Sequence, residues 1–163
     1  YKSDCKKWHK DAKTFLDGYN KTFYKRFSKN CNEYFYIPHR NERRGIGGIF
    51  FDNFKQLSLQ KTLLLLSDTA SQYKNSYTTL ANLRRQKKYT KSQKDFQLLR
   101  RGRYAEFNLV YDRGTAFGLQ SNGRIESILA SLPSDVKWSY KKTKEHAAME
   151  KRLLKFIDTD WNV

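Results

Sequence analysis

"RGRYAEFNLVYDRG", residues 101–114, decides how this chain is read. Arg103, Ala105, Phe107, Leu109 and Tyr111 fall on one side of a two-residue period. Tyr104, Glu106, Asn108, Val110 and Asp112 fall on the other. Such alternation predicts a strand with one apolar and one largely polar face.

Two other stretches fit a sheet with it. "GIGGIFFD" (45–52) is a short apolar run bounded by glycines and predicts a buried strand. "DVKWSY" (135–140) is a third strand candidate. The rest has helical rhythm. Residues 4–36 predict a helix interrupted near Gly18 and stopped by Pro38. Leu59, Leu63, Leu66, Ala70, Tyr73, Tyr77 and Leu80 step by four and three, as in a helix packed on a sheet. A polar, basic stretch (84–95) reads as a solvated loop or helix end, with a brief helix through Phe96, Leu98 and Leu99. Ile125, Ile128, Leu129 and Leu132 predict a short amphipathic helix ended by Pro133, and Met149, Leu153, Phe156 and Ile157 a last one. Strands and long helices without βαβ regularity give an α+β class with an antiparallel sheet.

The 163 residues suit one domain with a real core. With 33 Lys+Arg against 16 Asp+Glu, the net charge is +17. A field of that sign concentrates anions, whether nucleic acid, acidic lipid or a small polycarboxylate. Cys5 and Cys31 lack CxxC spacing, which argues against a zinc ribbon or disulfide framework and favours a reducing compartment. The longest aliphatic run, Leu63 to Leu66, is too short to span a bilayer. No P-loop, GxGxxG, GxSxG or HExxH signature occurs.

Three groups of residues could carry chemistry. In "QSNGRIES" (120–127), Asn122 and Gly123 form a turn into a helix whose second residue is expected to be Arg124. Backbone N–H groups and the dipole at a helix start attract anions, and Arg124 adds a fork of donors suited to a carboxylate. The same residues also read as an ordinary turn with a surface arginine. Arg40, Arg43 and Arg44 precede the first strand, while Arg100, Arg101, Arg103 and Arg113 flank the second. They either balance Glu42, Asp52 or Glu106, or clamp a carboxylate. His9 and His39 are structural residues or, if they share a pocket, metal ligands or proton carriers near neutral pH. His146 lies in a charged helix and reads as solvated.

"WHKDAK" (8–13), "CNEYFYIPHRNERRGIGGIFFDNF" (31–54), "RRGRYAEFNLVYDRGTAFGLQSNGRIESILASLP" (100–133) and "KWSY" (137–140) closely resemble the oxygen-dependent coproporphyrinogen-III oxidase family. The likeness runs over nearly the whole chain in order; 55–95 and 141–157 match loosely. It implies oxidative decarboxylation of two propionates of coproporphyrinogen III to vinyls, giving protoporphyrinogen IX in haem biosynthesis. Dioxygen would be the co-substrate, with no organic cofactor and the need for a divalent metal open. It also implies an antiparallel sheet sandwiched between helices, present here as part of one domain spanning 1–163. A homodimer through about Tyr104 to Tyr140 is implied too, with no nucleic acid partner and no transmembrane segment. The location implied is the cytoplasm, with the mitochondrial intermembrane space or a plastid as alternatives.

Carried over by position, Asn122, Gly123 and Arg124 match the family's substrate-contacting turn, with Arg40 and Arg44 as further substrate-binding candidates. His9 and His39 match histidines that serve as metal ligands in some bacterial relatives. Lys7 replaces the first histidine of the family's HxH, Asn53 the second aspartate of FFDD, and Ala116 a commonly basic or bulky residue. The family's upstream half, with its proposed catalytic aspartate, has no counterpart in these residues. The chain therefore reads as a C-terminal half whose catalytic residue lies upstream. Two rival readings stand beside this one. One is an inactive or structural half that dimerises with a complete subunit. The other is a basic RNA-binding module built on the cations between Arg84 and Arg103, for which no RNP-type motif is found.

Overall fold

A computed structural model describes residues 1–161. They are mostly helical: α1 (Lys2–Asp17), α2 (Phe23–Tyr34), β1 (Tyr36–Ile37), a 3₁₀ turn (Pro38–Arg40), β2 (Glu42–Arg43), α3 (Leu59–Arg84), α4 (Lys91–Val110), α5 (Arg113–Gln120), α6 (Ile125–Ile128) and α7 (Lys144–Ile157). The chain divides into two compact units. Among the described residues, the first comprises 1–36, 45–87 and 156–161; the second comprises 37–44 and 88–155.

The first unit is a helical layer around an aromatic core. Cys5, His9, Ala12 and Leu16 recur at helical spacing and are the buried face of α1. At Gly18 the helix ends, and the Asn20 carboxamide accepts from the backbone N–H and hydroxyl of Thr22, turning the chain into α2. The break expected near Gly18 is therefore present. Phe23, Tyr24, Phe27 and Cys31 are buried on α2. Phe27 lies at the centre, with ring centroids 4.5 Å from Phe51, 5.2 Å from Phe23 and 5.9 Å from Phe54. The Arg26 guanidinium caps it, 4.9 Å from the Phe27 ring.

Residues 45–52, expected as a buried strand, form no strand. One backbone bond, from Phe50 N–H to Phe27 O (3.0 Å), ties the run to α2. Its rings interleave with those of the helix: Phe50 stacks on Tyr34 and Phe51 on Phe27. β-formers suit a half-buried surface; here a helix supplies that surface, so no ladder forms.

α3, capped by Ser58, is 26 residues long, or about 39 Å. Its packed line is Thr62, Leu65, Thr69, Gln72, Ser76 and Leu80, with Leu65 fully buried. Ser76 Oγ donates to Asp11 of α1 at 2.6 Å, and Arg84 pairs with Asp4 at 2.6 Å. The stripe expected to face a sheet lies about 100° around the helix from this line, so Leu59, Leu63, Leu66, Tyr73 and Tyr77 are exposed. The helix is where it was read, but its apolar stripe faces outward. The neighbour it packs on is another helix.

The second unit corrects the decisive reading. Residues 101–110 are helix, the C-terminal half of α4, and not strand. Two causes are visible. A capping box at Thr90 and Gln93 starts the helix upstream of the alternating stretch, and helix growth is easier than nucleation. Among the described residues, moreover, the sheet is only the two-stranded β1–β2 hairpin. An isolated strand would leave its backbone groups unpaired, whereas a helix satisfies them within itself. The alternating run also holds helical spacings, Arg103 to Glu106 and Tyr104 to Asn108, and both make contacts. Asp112 then caps α5 through Thr115 N–H (3.0 Å).

The expected strand 135–140 is an irregular strap lying across α4. Lys137 N–H donates to Leu98 O (3.1 Å), and a Cβ at Gly102 would lie 2.6 Å from Lys137 O. Only glycine allows this crossing. The helix expected to run from 125 to 132 is one turn, Ile125–Ile128.

Candidate functional site

Glu106, one helical turn beyond Arg103 on α4, gathers the second unit's polar groups. Arg40, from the turn between β1 and β2, binds it in a fork, Nε donating at 2.9 Å and Nη2 at 2.6 Å. His39 Nε2 donates at 2.9 Å, Trp138 Nε1 at 3.0 Å and Arg103 Nη1 at 3.3 Å. With Arg40's hydrogen bonds as the largest cause, and those of His39 adding, the Glu106 carboxyl is lowered to about 2. Glu106 therefore stays ionised and serves as an anchor.

His39 is oriented by this anchor. A carboxylate only accepts, so the proton sits on Nε2, and Nδ1 faces the Tyr111 hydroxyl at 3.0 Å. Beside it, Glu42 is buried, 3.0 Å from Arg100 Nη2 and 3.6 Å from Arg103 Nε. Arg44 lies over the rings of Tyr104 (4.8 Å) and Phe107 (5.0 Å). Arg40 from the first arginine group, and Arg100 and Arg103 from the second, thus act as charge balance against Glu42 and Glu106.

The 122–124 turn is built differently. Asn122 adopts φ 54°, the left-handed conformation that asparagine tolerates. Gly123 N–H donates to Gly118 O (2.9 Å), closing α5 onto the turn. Arg124 is the N-cap of α6 rather than its second helical residue, and its exposed side chain lies 3.4 Å from Glu126. A one-turn helix has little aligned dipole behind this position. Arg124 would bind an anion chiefly through its own guanidinium.

His9 lies in the first unit, fully inside an aromatic cage. Nε2 donates to Ile46 O (2.9 Å), Nδ1 accepts from the Tyr24 hydroxyl (3.0 Å), and Trp161 stacks on the ring at 6.0 Å. Burial pushes its pKa down, so it is held neutral. Both ring nitrogens are engaged in His9, as in His39, and the two residues belong to different units. Among the described residues, no three His, Cys, Asp or Glu side chains gather as a metal centre needs.

Glu106, Tyr111 and Trp138 were not singled out as functional from sequence. Glu106 was legible as a partner for the arginines, but the strand reading put it and Tyr111 on opposite faces.

The model of the coproporphyrinogen III oxidase family matches residues 1–162. The chain belongs to that family. Curated relatives named oxygen-dependent coproporphyrinogen-III oxidase agree. Those of Francisella tularensis subsp. holarctica strain OSU18 and subsp. novicida strain U112 are 45% and 44% identical over 162 residues. That of Francisella philomiragia is 43% identical over the same length. In each case the match covers 99% of this chain and 53% of the relative. The chain thus spans about half the length of the curated coproporphyrinogen oxidases it matches. No described helix is long and apolar enough to cross a membrane.

Proposed function

We propose that this chain contributes to an oxygen-dependent coproporphyrinogen-III oxidase, converting two propionates of coproporphyrinogen III to vinyls with dioxygen as oxidant. The observation that carries this reading is the family match over residues 1–162, with 45% identity to a relative of that name. For each propionate, carbon dioxide leaves and two electrons and two protons pass to dioxygen, giving peroxide. The tasks left to the protein are to hold a flexible polycarboxylate and to orient it.

Arg124 suits the first task. Exposed and joined only loosely to Glu126, it can exchange that carboxylate for a propionate without leaving a buried charge behind. Arg40 is bound in a fork to Glu106, and Arg44 rests on two rings, so both fit a supporting role at the edge of the substrate site. Metal ligation by His9 or His39 would require the imidazole to give up one of its present partners. The sheet sandwiched between helices, and the homodimer through about Tyr104 to Tyr140, belong to the assembled enzyme and need the further length its relatives carry. The cytoplasm fits the reducing compartment read from the spacing of Cys5 and Cys31, both of which are buried.

The test is formation of protoporphyrinogen IX from coproporphyrinogen III under oxygen. It is run on this chain alone and on this chain supplied with the remaining portion of a relative. Activity is expected in the second case and absent in the first; no activity in either overturns the reading. In the active form, Arg124→Ala should weaken substrate binding about tenfold to a hundredfold. Unchanged Michaelis parameters would remove Arg124 from the site.

A further inference from the structure

The turn between α5 and α6 makes two demands on its sequence. Residue 122 stands at φ 54°, a left-handed conformation that asparagine tolerates better than most residues. Residue 123 is crowded: a Cβ there would lie 3.0 Å from Gly118 O and 3.0 Å from Ile128 Cδ1, so glycine fits best. The turn is thus well served by asparagine followed by glycine. That pair has a chemistry of its own, because the unshielded main-chain nitrogen of a glycine can attack the side-chain carbonyl of the asparagine before it.

Asn122 is placed to use this chemistry. It is exposed and lies outside the helices. Asn30, Asn32, Asn75, Asn82 and Asn108 lie within helices, where the following N–H is bonded along the axis. Asn20, Asn41 and Asn53 precede Lys21, Glu42 and Phe54, residues whose side chains hinder approach to the main-chain nitrogen. The gate at Asn122 is a hydrogen bond, Gly123 N–H donating to Gly118 O at 2.9 Å. Gly118 O also accepts from the Ser121 hydroxyl at 3.2 Å. This bond closes the end of an eight-residue helix, and helix ends open locally at little cost.

We propose that Asn122 is a site of spontaneous modification through a cyclic imide, and that the change turns an anion-binding turn into one that repels anions. When the Gly123–Gly118 bond opens, the Gly123 nitrogen forms a bond to Asn122 Cγ. The side-chain amide nitrogen leaves as ammonia, carrying the Gly123 proton. Water then opens the imide at either carbonyl, giving aspartate or isoaspartate; no oxidant or reductant takes part. Both products set a carboxylate where a neutral amide stood, two residues from Arg124. Isoaspartate also lengthens the main chain by one methylene, which breaks the register of the bond to Gly118. The new carboxylate pairs with Arg124 and opposes a propionate. This last consequence rests on Arg124 as a substrate-binding residue; the modification itself does not.

The experiment follows the full chain by peptide mass spectrometry as it ages in mildly alkaline buffer, with near-ultraviolet dichroism showing that it stays folded. The peptide holding Asn122 should gain the mass of OH in place of NH₂ ahead of every other asparagine, and an isoaspartyl methyltransferase should label it. No gain at Asn122, or a gain no faster than at the other asparagines, overturns the site. A gain without isoaspartate overturns the imide route. None of these readouts needs turnover, so their failure is separate from failure of the oxidase reading. In the active form, Asn122→Asp should raise KM for coproporphyrinogen III about tenfold, and the neutral Asn122→Ser should raise it less. An unchanged KM in Asn122→Asp, or an equal rise in Asn122→Ser, overturns the effect of charge on the turn.

Discussion

Around Phe27 the chain collects rings; around Glu106 it collects charges. Phe27 is 1% exposed, and its neighbours Phe23, Phe51 and Phe54 contact it by stacking and edge contacts that tolerate small displacements. Glu106 is held by directed bonds from Arg40, His39, Arg103 and Trp138, each of which fixes an angle as well as a distance. The first arrangement supplies stability through burial. The second supplies orientation, and its strength depends on protonation and salt. Each region also owns a histidine: His9 is kept neutral by burial, while His39 is aimed by a carboxylate.

The largest break in this contrast should come from Phe27→Ala. Emptying the ring position costs about 3–5 kcal/mol, read as a lowered urea midpoint, with little dependence on salt. Glu106→Gln should cost less, about 2–3 kcal/mol, and that cost should shrink as salt rises. The sign of its pH dependence follows from the lowered carboxyl. Its stabilisation is full above the ordinary value of 4.5 and is lost as pH falls through about 2. Stability of the parent chain should therefore slope downward over that window, and the slope should flatten in the variant. An equal salt response in the Phe27 and Glu106 variants would erase the contrast.

A smaller effect should separate the histidines. The folded pKa of His9 lies below its ordinary 6.5, so the unfolded chain takes up the proton first. Stability that is present above 6.5 is then lost as pH falls toward the depressed value. His9→Gln should remove this part of the pH dependence; NMR titration of the ring in the parent chain should show it neutral at pH 6.5. Arg124→Ala should have the least effect of all on folding. Its melting temperature should match the parent's, because the side chain is exposed and its ion pair with Glu126 is itself exposed.

Local signals carried much of the fold. The stop at Gly18, and α3 and α7, were legible because period and punctuation lie within the segments themselves. The 101–110 segment was not, since its choice between strand and helix rests on partners. Alternation describes a strand only where a neighbouring strand exists, and a capping box at Thr90 lies outside the alternating window. The same dependence hid the Glu106 cluster. His39, Arg40, Glu106 and Trp138 come from three separate stretches, and no spacing in the sequence announces their meeting. The family itself was legible, because long motifs kept in order identify it without a fold.

The outward stripe on α3 has a practical consequence for the bench. Leu59, Leu63, Leu66, Tyr73 and Tyr77 present an apolar track to solvent on a folded helix. A hydrophobic reporter dye such as ANS should light up on this surface while the near-ultraviolet dichroism of the packed rings is intact. Dye fluorescence, ordinarily taken as the mark of a molten state, would here report a native surface. Only loss of the aromatic dichroism would signal that the chain has come apart.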